Sequence, residues 1–355
     1  MRILWVNGFG EYSLHAGTIH ERAIGFFHCV YFLLKELAKL GHDVQYVCAC
    51  GKEREGVFDG VRYRCLSDLL QNDTILEESR QGAFDVVVDT ELWDYHYSSL
   101  ENCKKVAYVH NVAYGNKLFG EHGGKQYGCD LVVAVSDFHA DCLLKNHPGV
   151  RDKFVVIGHG LDFDSMPVGE HRKSTIIFCQ APHKGIEDAE TVFRGVRETS
   201  SSVEMTVCSS AELYGLPDSQ QKLAVLSRLS QTEGVSVVPV RPHSEYLKLM
   251  SDHRVQIYPG IPETFGLTVL ESMSVGTPVV TWSSSGNVKQ LVSQVGGGVL
   301  VDRYDLDRFV AEVVRLLEND TEWEKLSSSG REKSTVFTWK DVALKWELAL
   351  LDLVD

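Results

Sequence analysis

Twelve short apolar segments, rich in valine and isoleucine, recur along the chain with helix-like stretches between them. The first six are RILWVN, DVQYVCA, FDVVVDT, KVAYVH, DLVVAVSD and KFVVIGHG, and the second six are STIIFCQ, VEMTVCS, VSVVPV, RVQIYPG, TPVVTW and GGGVLVD. Nearly continuous runs of this kind are typical of strands that are buried on both faces of a parallel sheet. Because one sheet of twelve strands would be unusually large, the two series predict two doubly wound α/β domains.

The segment between the two series indicates where one domain ends. It reads GLDFDSMPVGEHRK and is polar, contains Pro and Gly, and has no hydrophobic period. A chain of 355 residues is long enough for two cores. We therefore expect an N-terminal domain at 1–160, a linker at 161–173, a C-terminal domain at 174–335 and a final helix at 336–355. An apolar stripe on that helix is formed by Trp339, Val342, Trp346, Leu350 and Leu353.

The charge balance argues against polyanionic partners. The formal net charge is −14 and the isoelectric point is about 5.5, so the chain has no general positive field for nucleic acid or anionic lipid. No apolar segment reaches the length of a membrane span, and the N-terminal run MRILWVNGFG is too short for a signal sequence. The sequence predicts a protein without a transmembrane segment and leaves peripheral membrane contact open.

The nine cysteines are scattered and show no C-x-x-C spacing. This distribution favours reduced, mostly buried thiols over disulfides or a metal site, and it predicts a cytoplasmic protein.

The segment PETFGLTVLESMSVGTPVV, residues 262–280, carries two acidic residues around a predicted helix start. Glu263 precedes the helix and Glu271 lies within it, while the amides from Phe265 to Thr268 would be the unpaired donors of a helix N-terminus, which suits an anion such as a diphosphate. Carboxylates beside such an anion can accept hydrogen bonds from the hydroxyls of a sugar or ribose. The alternative is that both glutamates only complement the helix dipole at the surface.

This segment resembles the Glu-x7-Glu signature of the family 4 retaining glycosyltransferases, E-x-F-G-L-x-x-x-E followed by a G-x-P-V-V strand. The matching residues are Glu263, Phe265, Gly266, Leu267, Glu271, Gly276, Pro278 and Val279. Other segments resemble the family in order along the chain: GHDV, GHGLD and APHKG. The resemblance implies a GT-B fold, with two Rossmann-like domains facing across a cleft and a C-terminal helix that packs back on the first domain.

The resemblance also implies roles for particular residues. Glu271 would bind the ribose of a nucleotide-sugar donor, and Glu263 would bind hydroxyls of the transferred sugar. Lys184 of APHKG would offset the charge that develops on the leaving diphosphate. The amides of Gly266, Leu267 and Thr268, beside Phe265, would contact the sugar or diphosphate, and the loop around Val240 would receive the nucleobase.

The implied chemistry requires no cofactor and no metal. The donor would be a GDP-sugar, slightly preferred, or a UDP-sugar, and the acceptor a soluble glycan or glycoprotein. One departure concerns the diphosphate site: family members usually have an arginine before the lysine, whereas no Arg lies between Phe178 and Lys184. His183 is a candidate second donor, although a neutral histidine supplies less charge than arginine.

Two further candidates lie in the N-terminal domain. His110 ends the fourth apolar run, where the family commonly has a histidine near the sugar and acceptor; the alternative is a histidine that caps a strand end. Gly10 belongs to NGFG, a partial match to a dinucleotide motif, which we interpret as a close backbone approach to the donor or acceptor. Asp162 and Asp164 imitate a metal-binding D-x-D pair, but their place in the predicted linker favours a structural role.

Three alternatives to glycosyl transfer remain open at the level of the sequence. A nucleotide-sugar epimerase or a phosphorylase on a related fold would use the same donor site. A non-catalytic nucleotide-sugar-binding protein would explain the missing arginine. A nicotinamide dehydrogenase is a more distant alternative, since NGFG matches its motif only in part.

Overall fold

The computed structural model describes residues 1–7, 16, 25–90, 99–113, 128–167, 173–209, 219–239 and 242–355. The chain divides into two compact units. The first includes Arg2–Asn7, Phe26–Gly160 and Thr338–Asp355, and the second includes Leu161–Phe337. Gly10 and Val240, two of the predicted donor-binding residues, lie outside the described residues.

The first unit is built on an eight-stranded sheet with the order β3-β4-β2-β1-β5-β6-β7-β8. All pairs are parallel except β3 with β4. Its strands are β1 Arg2–Asn7, β2 Asp43–Cys48, β3 Gly56–Phe58, β4 Val61–Cys65, β5 Val86–Thr90, β6 Lys104–Val109, β7 Leu131–Ala134 and β8 Phe154–Val156. Its described helices are α1 Gly25–Lys39, α2 Ser67–Leu70, α3 Thr74–Arg80 and α4 Asp137–Asn146.

The second unit is built on a six-stranded, fully parallel sheet with the order β11-β10-β9-β12-β13-β14. Its strands are β9 Lys173–Phe178, β10 Met205–Cys208, β11 Val235–Val238, β12 His253–Tyr258, β13 Val279–Trp282 and β14 Gly298–Val301. The described helices are α5 Ile186–Thr199, α6 Gln220–Ser230, α7 His243–Ser251, α8 Leu267–Ser274, α9 Asn287–Val295, α10 Leu306–Glu318 and α11 Asp320–Ser334. A last helix, α12 Trp339–Val354, belongs to the first unit. Among the described residues, no helix is both long and apolar enough to cross a membrane.

The strand order of the second sheet explains where its ligand site lies. Successive connections run outward from β9 in one direction and then from β12 in the other, which is the doubly wound arrangement of nucleotide-binding sheets. β9 and β12 are adjacent, and the connections from them to β10 and β13 run in opposite directions along the sheet. Ligands of open α/β sheets bind at such a switch point.

Alternation along each strand buries both faces of this sheet. Ile176 and Phe178 of β9 belong to one core cluster, whereas Ile177 belongs to another cluster on the opposite face. The side chains of a strand point alternately to the two faces, so a continuous apolar run fits only a sheet that helices cover on both sides. The prediction of two parallel-sheet α/β domains is confirmed, and all twelve apolar runs contain strands.

The hairpin of β3 and β4 was not predicted from the sequence. Phe58 pairs with Val61 across a two-residue turn, Asp59-Gly60, in which both φ angles are positive at 51° and 80°. This geometry matches the tight turns that Asp-Gly favours in hairpins. The Asp-Gly signal was present in the sequence, but it lies between two runs with exposed residues that lack the continuous apolar pattern.

Helix α12 packs on the sheet of the first unit through its tryptophans. The ring of Trp346, which is fully buried, lies 5.1 Å from the ring of Trp5 on β1 and 4.9 Å from the ring of Tyr108 on β6. The Trp5 indole donates to Thr90 Oγ1 at 2.8 Å, which fixes its orientation. Aromatic burial of this extent is a large stabilising contribution, so the last helix is part of the first unit's core.

We predict that Trp346→Ala lowers the free energy of unfolding of the first unit by about 3–5 kcal/mol, because a large cavity replaces a fully buried ring. Denaturant unfolding followed by tryptophan fluorescence and circular dichroism measures this loss. Leu348→Ala is the matched control, since Leu348 lies on the same helix and is 67% exposed; its effect should stay within about 0.5 kcal/mol. Equal losses in the two variants would contradict the packing of α12.

Candidate functional site

Lys184 is carried by the loop that follows β9. Residues Pro182–Lys184 form one turn of 3-10 helix, and Gly185, with φ of 105°, is the N-cap residue of α5. A Cβ atom at Gly185 would lie 2.9 Å from Gly260 Cα, and one at Gly260 would lie 2.4 Å from the Lys184 carbonyl oxygen. Only glycine fits such close backbone-to-backbone contact, and Gly185 in addition has a positive φ. The two glycines therefore allow the Lys184 loop to contact the loop that follows β12.

Glu263 lies on the loop that follows β12. Its backbone is fixed by the loop that connects β13 to α9. The Glu263 amide donates to the Ser285 carbonyl at 3.2 Å, and the Asn287 amide donates to the Glu263 carbonyl at 3.0 Å. These bonds form an isolated parallel bridge between Glu263 and Gly286. The position of Glu263 is thus set by the connection between β13 and α9, which is nearby only in the folded sheet.

The two loops bring the predicted catalytic residues of the second unit together. Lys184 Nζ lies 2.5 Å from Glu263 Oε1, and the side chains are 18% and 16% exposed. A half-buried carboxylate is costly unless it is paired, and here the pairing is with the ammonium group predicted to hold a diphosphate. The sequence separation of 79 residues gives no indication of this contact.

Helix α8 presents its N-terminus immediately after Glu263. Gly266 is the N-cap residue, with φ of 96° and no side-chain cap, so the amides of Leu267 and Thr268 at the first turn are not covered by a capping side chain. Phe265 is buried, and its carbonyl accepts a 2.8 Å hydrogen bond from Asn287 Nδ2. An uncapped N-terminus next to a lysine is suited to bind an anion.

Glu271, the second acid of the motif, is held by a histidine. It lies in α8 and is 4% exposed, and its Oε1 is 2.7 Å from His243 Nε2. His243 is itself 8% exposed and is the first residue of α7. His243 was not predicted from the sequence, because it lies 28 positions before Glu271 and no local pattern pairs the two residues.

A tyrosine fixes the same two helices. Tyr246, one turn after His243, donates from its buried hydroxyl to the Cys179 carbonyl at 2.8 Å and also contacts the Thr268 side chain. Burial raises the pKa of Tyr246 well above its usual value, so the hydroxyl stays a neutral donor. The first turn of α7 is therefore tied to the end of β9 and to the start of α8.

The segment in which the family arginine is absent, between Phe178 and Lys184, contains a buried polar side chain. Gln180, which directly follows the apolar run of β9, is 4% exposed, and neither atom of its side-chain amide has a hydrogen-bond partner among the described residues. His183, the other candidate donor, is exposed. Neither supplies the charge of an arginine, so Lys184 and the α8 amides remain the expected diphosphate contacts.

His110, predicted in the N-terminal domain, lies just after β6 in the first unit. Its ring stacks on His159 at 5.4 Å with an interplanar angle of 15°, and it lies 4.1 Å from the ring of Tyr108. The Tyr108 hydroxyl lies 3.1 Å from His159 Nδ1. Burial lowers the pKa of His110 well below its usual value, so the imidazole is neutral at pH 7. Its local surroundings suit a positioning role rather than that of a cation.

The Asp162–Asp164 pair forms a turn. The Asp162 carboxylate accepts hydrogen bonds from the Asp164 amide and from the Ser165 hydroxyl, and it caps one 3-10 turn at Phe163–Ser165. Within the described part of the chain, no three His, Cys, Asp or Glu side chains are grouped as a metal site. The structural interpretation of these aspartates accounts for their contacts.

Solved structures identify the fold. A sucrose-phosphate synthase from Thermosynechococcus elongatus superposes with a TM-score of 0.75 at 16% identity, with 99% of each chain covered. The Anabaena protein HepE, solved with UDP and glucose, superposes with a TM-score of 0.73 at 13% identity, again with 99% of each chain covered. At these identities the likeness shows the fold alone, and that fold is GT-B.

Two family models match the chain. The model described as Glycosyl transferases group 1 matches residues 173–333, and the model described as Glycosyltransferase Family 4 matches residues 25–165. The chain belongs to the family 4 glycosyltransferases.

Curated relatives match this chain over part of their own length. A D-inositol 3-phosphate glycosyltransferase of Segniliparus rotundus is 27% identical over 162 residues, which cover 46% of this chain and 36% of the relative. A poly(glycerol-phosphate) alpha-glucosyltransferase of Bacillus subtilis is 20% identical over 283 residues, which cover 76% of this chain and 41% of the relative. The matches thus span about two fifths of the length of these relatives.

We predict that Gly266→Ala destabilises the second unit by about 2–5 kcal/mol. The left-handed conformation costs an alanine about 1–2 kcal/mol, and a Cβ would lie 2.5 Å from Val288 Cγ2, an overlap that adds about 1–3 kcal/mol. Denaturant unfolding measures the loss. Gly82→Ala is the matched control, with φ of 72° and nothing within 4 Å of the new Cβ, and it should show only the conformational cost. Equal losses would argue against the Val288 contact.

We also predict that acid weakens the first unit through its buried histidines. Burial lowers the pKa of His139 to about 4 and that of His159 to about 3. The unfolded chain binds these protons near pH 6.5 and the folded chain does not, so their full stabilising effect is present above pH 6.5 and is lost as the pH falls toward 4. The slope should be about 1.4 kcal/mol per pH unit for each histidine.

Denaturant unfolding between pH 7.5 and 5 measures this slope. His139→Gln should flatten it relative to the unsubstituted protein, since glutamine does not titrate. An unchanged slope in this variant would show that His139 does not contribute to it.

Proposed function

We propose that the protein transfers a sugar from a nucleotide-diphosphate sugar to a hydroxyl of a glycan or glycoprotein, with retention of the anomeric configuration. The observation that carries this proposal is the contact between Lys184 and Glu263 at the switch point of the second sheet, directly before the N-terminus of α8. An ammonium group, a carboxylate and uncapped amides side by side match a ligand that has both a diphosphate and hydroxyl groups.

Each part of the donor has a partner of suitable chemistry. The diphosphate would be bound by Lys184 Nζ and by the amides of Leu267 and Thr268. The ammonium group carries a positive charge, and the amides lie at the positive end of the helix dipole. Sugar hydroxyls would donate to Glu263, and ribose hydroxyls would donate to Glu271. Because the diphosphate attracts Lys184, donor binding would release part of the Glu263 carboxylate for the sugar.

The proposed reaction needs no enzymic nucleophile. The bond from the anomeric carbon to the diphosphate oxygen breaks, and the acceptor oxygen attacks from the same face. The acceptor's proton passes to a diphosphate oxygen, so a nucleoside diphosphate and a retained glycoside are formed. Lys184 would stabilise the negative charge of the departing diphosphate, which is the kind of electrostatic contribution that dominates many enzymatic rates.

We propose a uridine donor in place of the guanosine donor that the family resemblance slightly favoured. Solved structures of similar fold carry UDP, among them HepE and the pneumococcal O-GlcNAc transferase GtfA. UDP-sugars are therefore the first donors to test, and GDP-sugars are the second. No metal or cofactor is required by the proposed chemistry.

The proposal is tested by incubating the protein with UDP- and GDP-sugars, with and without a panel of glycan acceptors. Release of the nucleoside diphosphate measures turnover, and NMR of the product gives its anomeric configuration. Transfer with retention is expected. Glu263→Gln should lower kcat by about 100- to 1,000-fold, while loss of the ion pair with Lys184 should lower the melting temperature by no more than about 5 °C. Glu318→Gln, an exposed carboxylate of the same unit, is the matched control and should leave kcat unchanged.

Other outcomes decide among the alternatives. An inverted product would overturn the same-face reaction. Conversion of the donor without an acceptor would identify an epimerase. Donor binding without turnover across the acceptor panel would favour a nucleotide-sugar-binding protein.

A further inference from the structure

The carboxylate of Glu271 has a buried partner to which the Glu-x7-Glu motif assigns no role. His243 Nε2 lies 2.7 Å from Glu271 Oε1, and both residues are more than nine-tenths buried. A buried carboxylate without a hydrogen-bond donor is strongly disfavoured, so Glu271 is held in this rotamer by His243. The bond engages Oε1, and it leaves Oε2 as the second acceptor of the same carboxylate.

The location of His243 connects two recognition elements. It is the first residue of α7 and lies three positions after Val240, around which the nucleobase is expected to bind. Glu271 belongs to a different helix, α8. A single hydrogen bond therefore joins α7, which follows the segment expected to bind the nucleobase, to Glu271, which is expected to bind the ribose.

Contacts at the start of α7 fix the direction from which the His243 ring reaches Glu271. The Tyr246 hydroxyl anchors α7 to the Cys179 carbonyl, and the Tyr246 amide donates to the Pro242 carbonyl at 2.9 Å. The start of α7 is thus fixed, and the imidazole reaches Glu271 from a constrained backbone. A carboxylate that is oriented before the ligand arrives loses less conformational entropy on binding.

We propose that His243 is a positioning residue for nucleotide recognition: it orients Glu271 so that the carboxylate accepts a hydroxyl of the nucleotide ribose, and it thereby sets the preference for ribose over deoxyribose. This inference rests on the proposed function, because it assumes that the ligand of Glu271 is a nucleotide. His243 acts through Glu271 and not on the ligand itself. Its effect should appear in binding of the nucleotide and not in the chemical step.

The decisive experiment is a double-mutant cycle read by calorimetry with UDP, GDP and inorganic pyrophosphate as probes. His243→Leu removes the donor at similar side-chain size, and it should weaken the nucleoside diphosphate that binds by about 10- to 100-fold. Pyrophosphate has no ribose, so its affinity should not change. In the Glu271→Leu background, His243→Leu should have little further effect, because the acceptor through which His243 acts has been removed.

Three further readouts separate positioning from a general structural role. His243→Gln keeps an N–H donor of similar reach and should restore most of the affinity. In steady-state kinetics, His243→Leu should raise the donor KM with less than a threefold change in kcat. The preference for UDP over its 2′,3′-dideoxy analogue should also shrink in this variant.

His253→Gln is the matched control for loss of a buried histidine. His253 is 3% exposed in the same unit, and its ring nitrogens contact the Leu249 carbonyl and Thr206 Oγ1 instead of a carboxylate. This variant should lower the melting temperature without a selective loss of nucleotide affinity. If His243→Leu does not fold, His243→Asn, whose shorter amide does not reach Glu271, takes its place in the cycle.

The outcomes distinguish failure of this inference from failure of the proposed function. If the unsubstituted protein binds neither UDP nor GDP, the proposed function fails and this inference fails with it. If a nucleotide binds and His243→Leu binds it equally well, or weakens pyrophosphate to the same extent, the role of His243 is overturned while the proposed function stands.

Discussion

The contact of two strand-end loops at the switch point of the second sheet is the constraint on which the candidate site depends. β9 and β12 lie side by side, and Gly185 and Gly260 let the loops that follow them touch through their backbones. A side chain at either glycine would separate the loops. Since Lys184 and Glu263 are carried on these loops, their 2.5 Å contact follows from the glycines as much as from the charges.

Burial of polar groups is the second organising principle. Glu271 is paired with His243, Glu263 with Lys184, and the Phe265 carbonyl with Asn287. Each pairing removes the cost of an isolated polar group in a poorly solvated position. A site built in this way holds its acids in fixed orientations before a ligand arrives, and such preorganisation makes hydrogen bonds and charges effective in binding and catalysis.

Local patterns were informative where local physics decides the structure. The twelve apolar runs indicated buried parallel strands because burial on both faces removes the need for polar alternation. The prediction of a helix start between Glu263 and Glu271 was correct, since α8 begins at Leu267. The β3–β4 hairpin was missed because its residues are half exposed and lack a continuous apolar run, so only the Asp-Gly turn signalled it.

The sequence by itself determined the fold class, the family, and the identity of the acids and the lysine that form the candidate site. It could not determine that Lys184 contacts Glu263 or that His243 holds Glu271, because these residues lie 79 and 28 positions apart and are joined only by the order of strands in the sheet. Strand order is decided by packing over the whole unit, and no local pattern of residues encodes it. For this reason, the tertiary structure alone revealed which partner each buried carboxylate has.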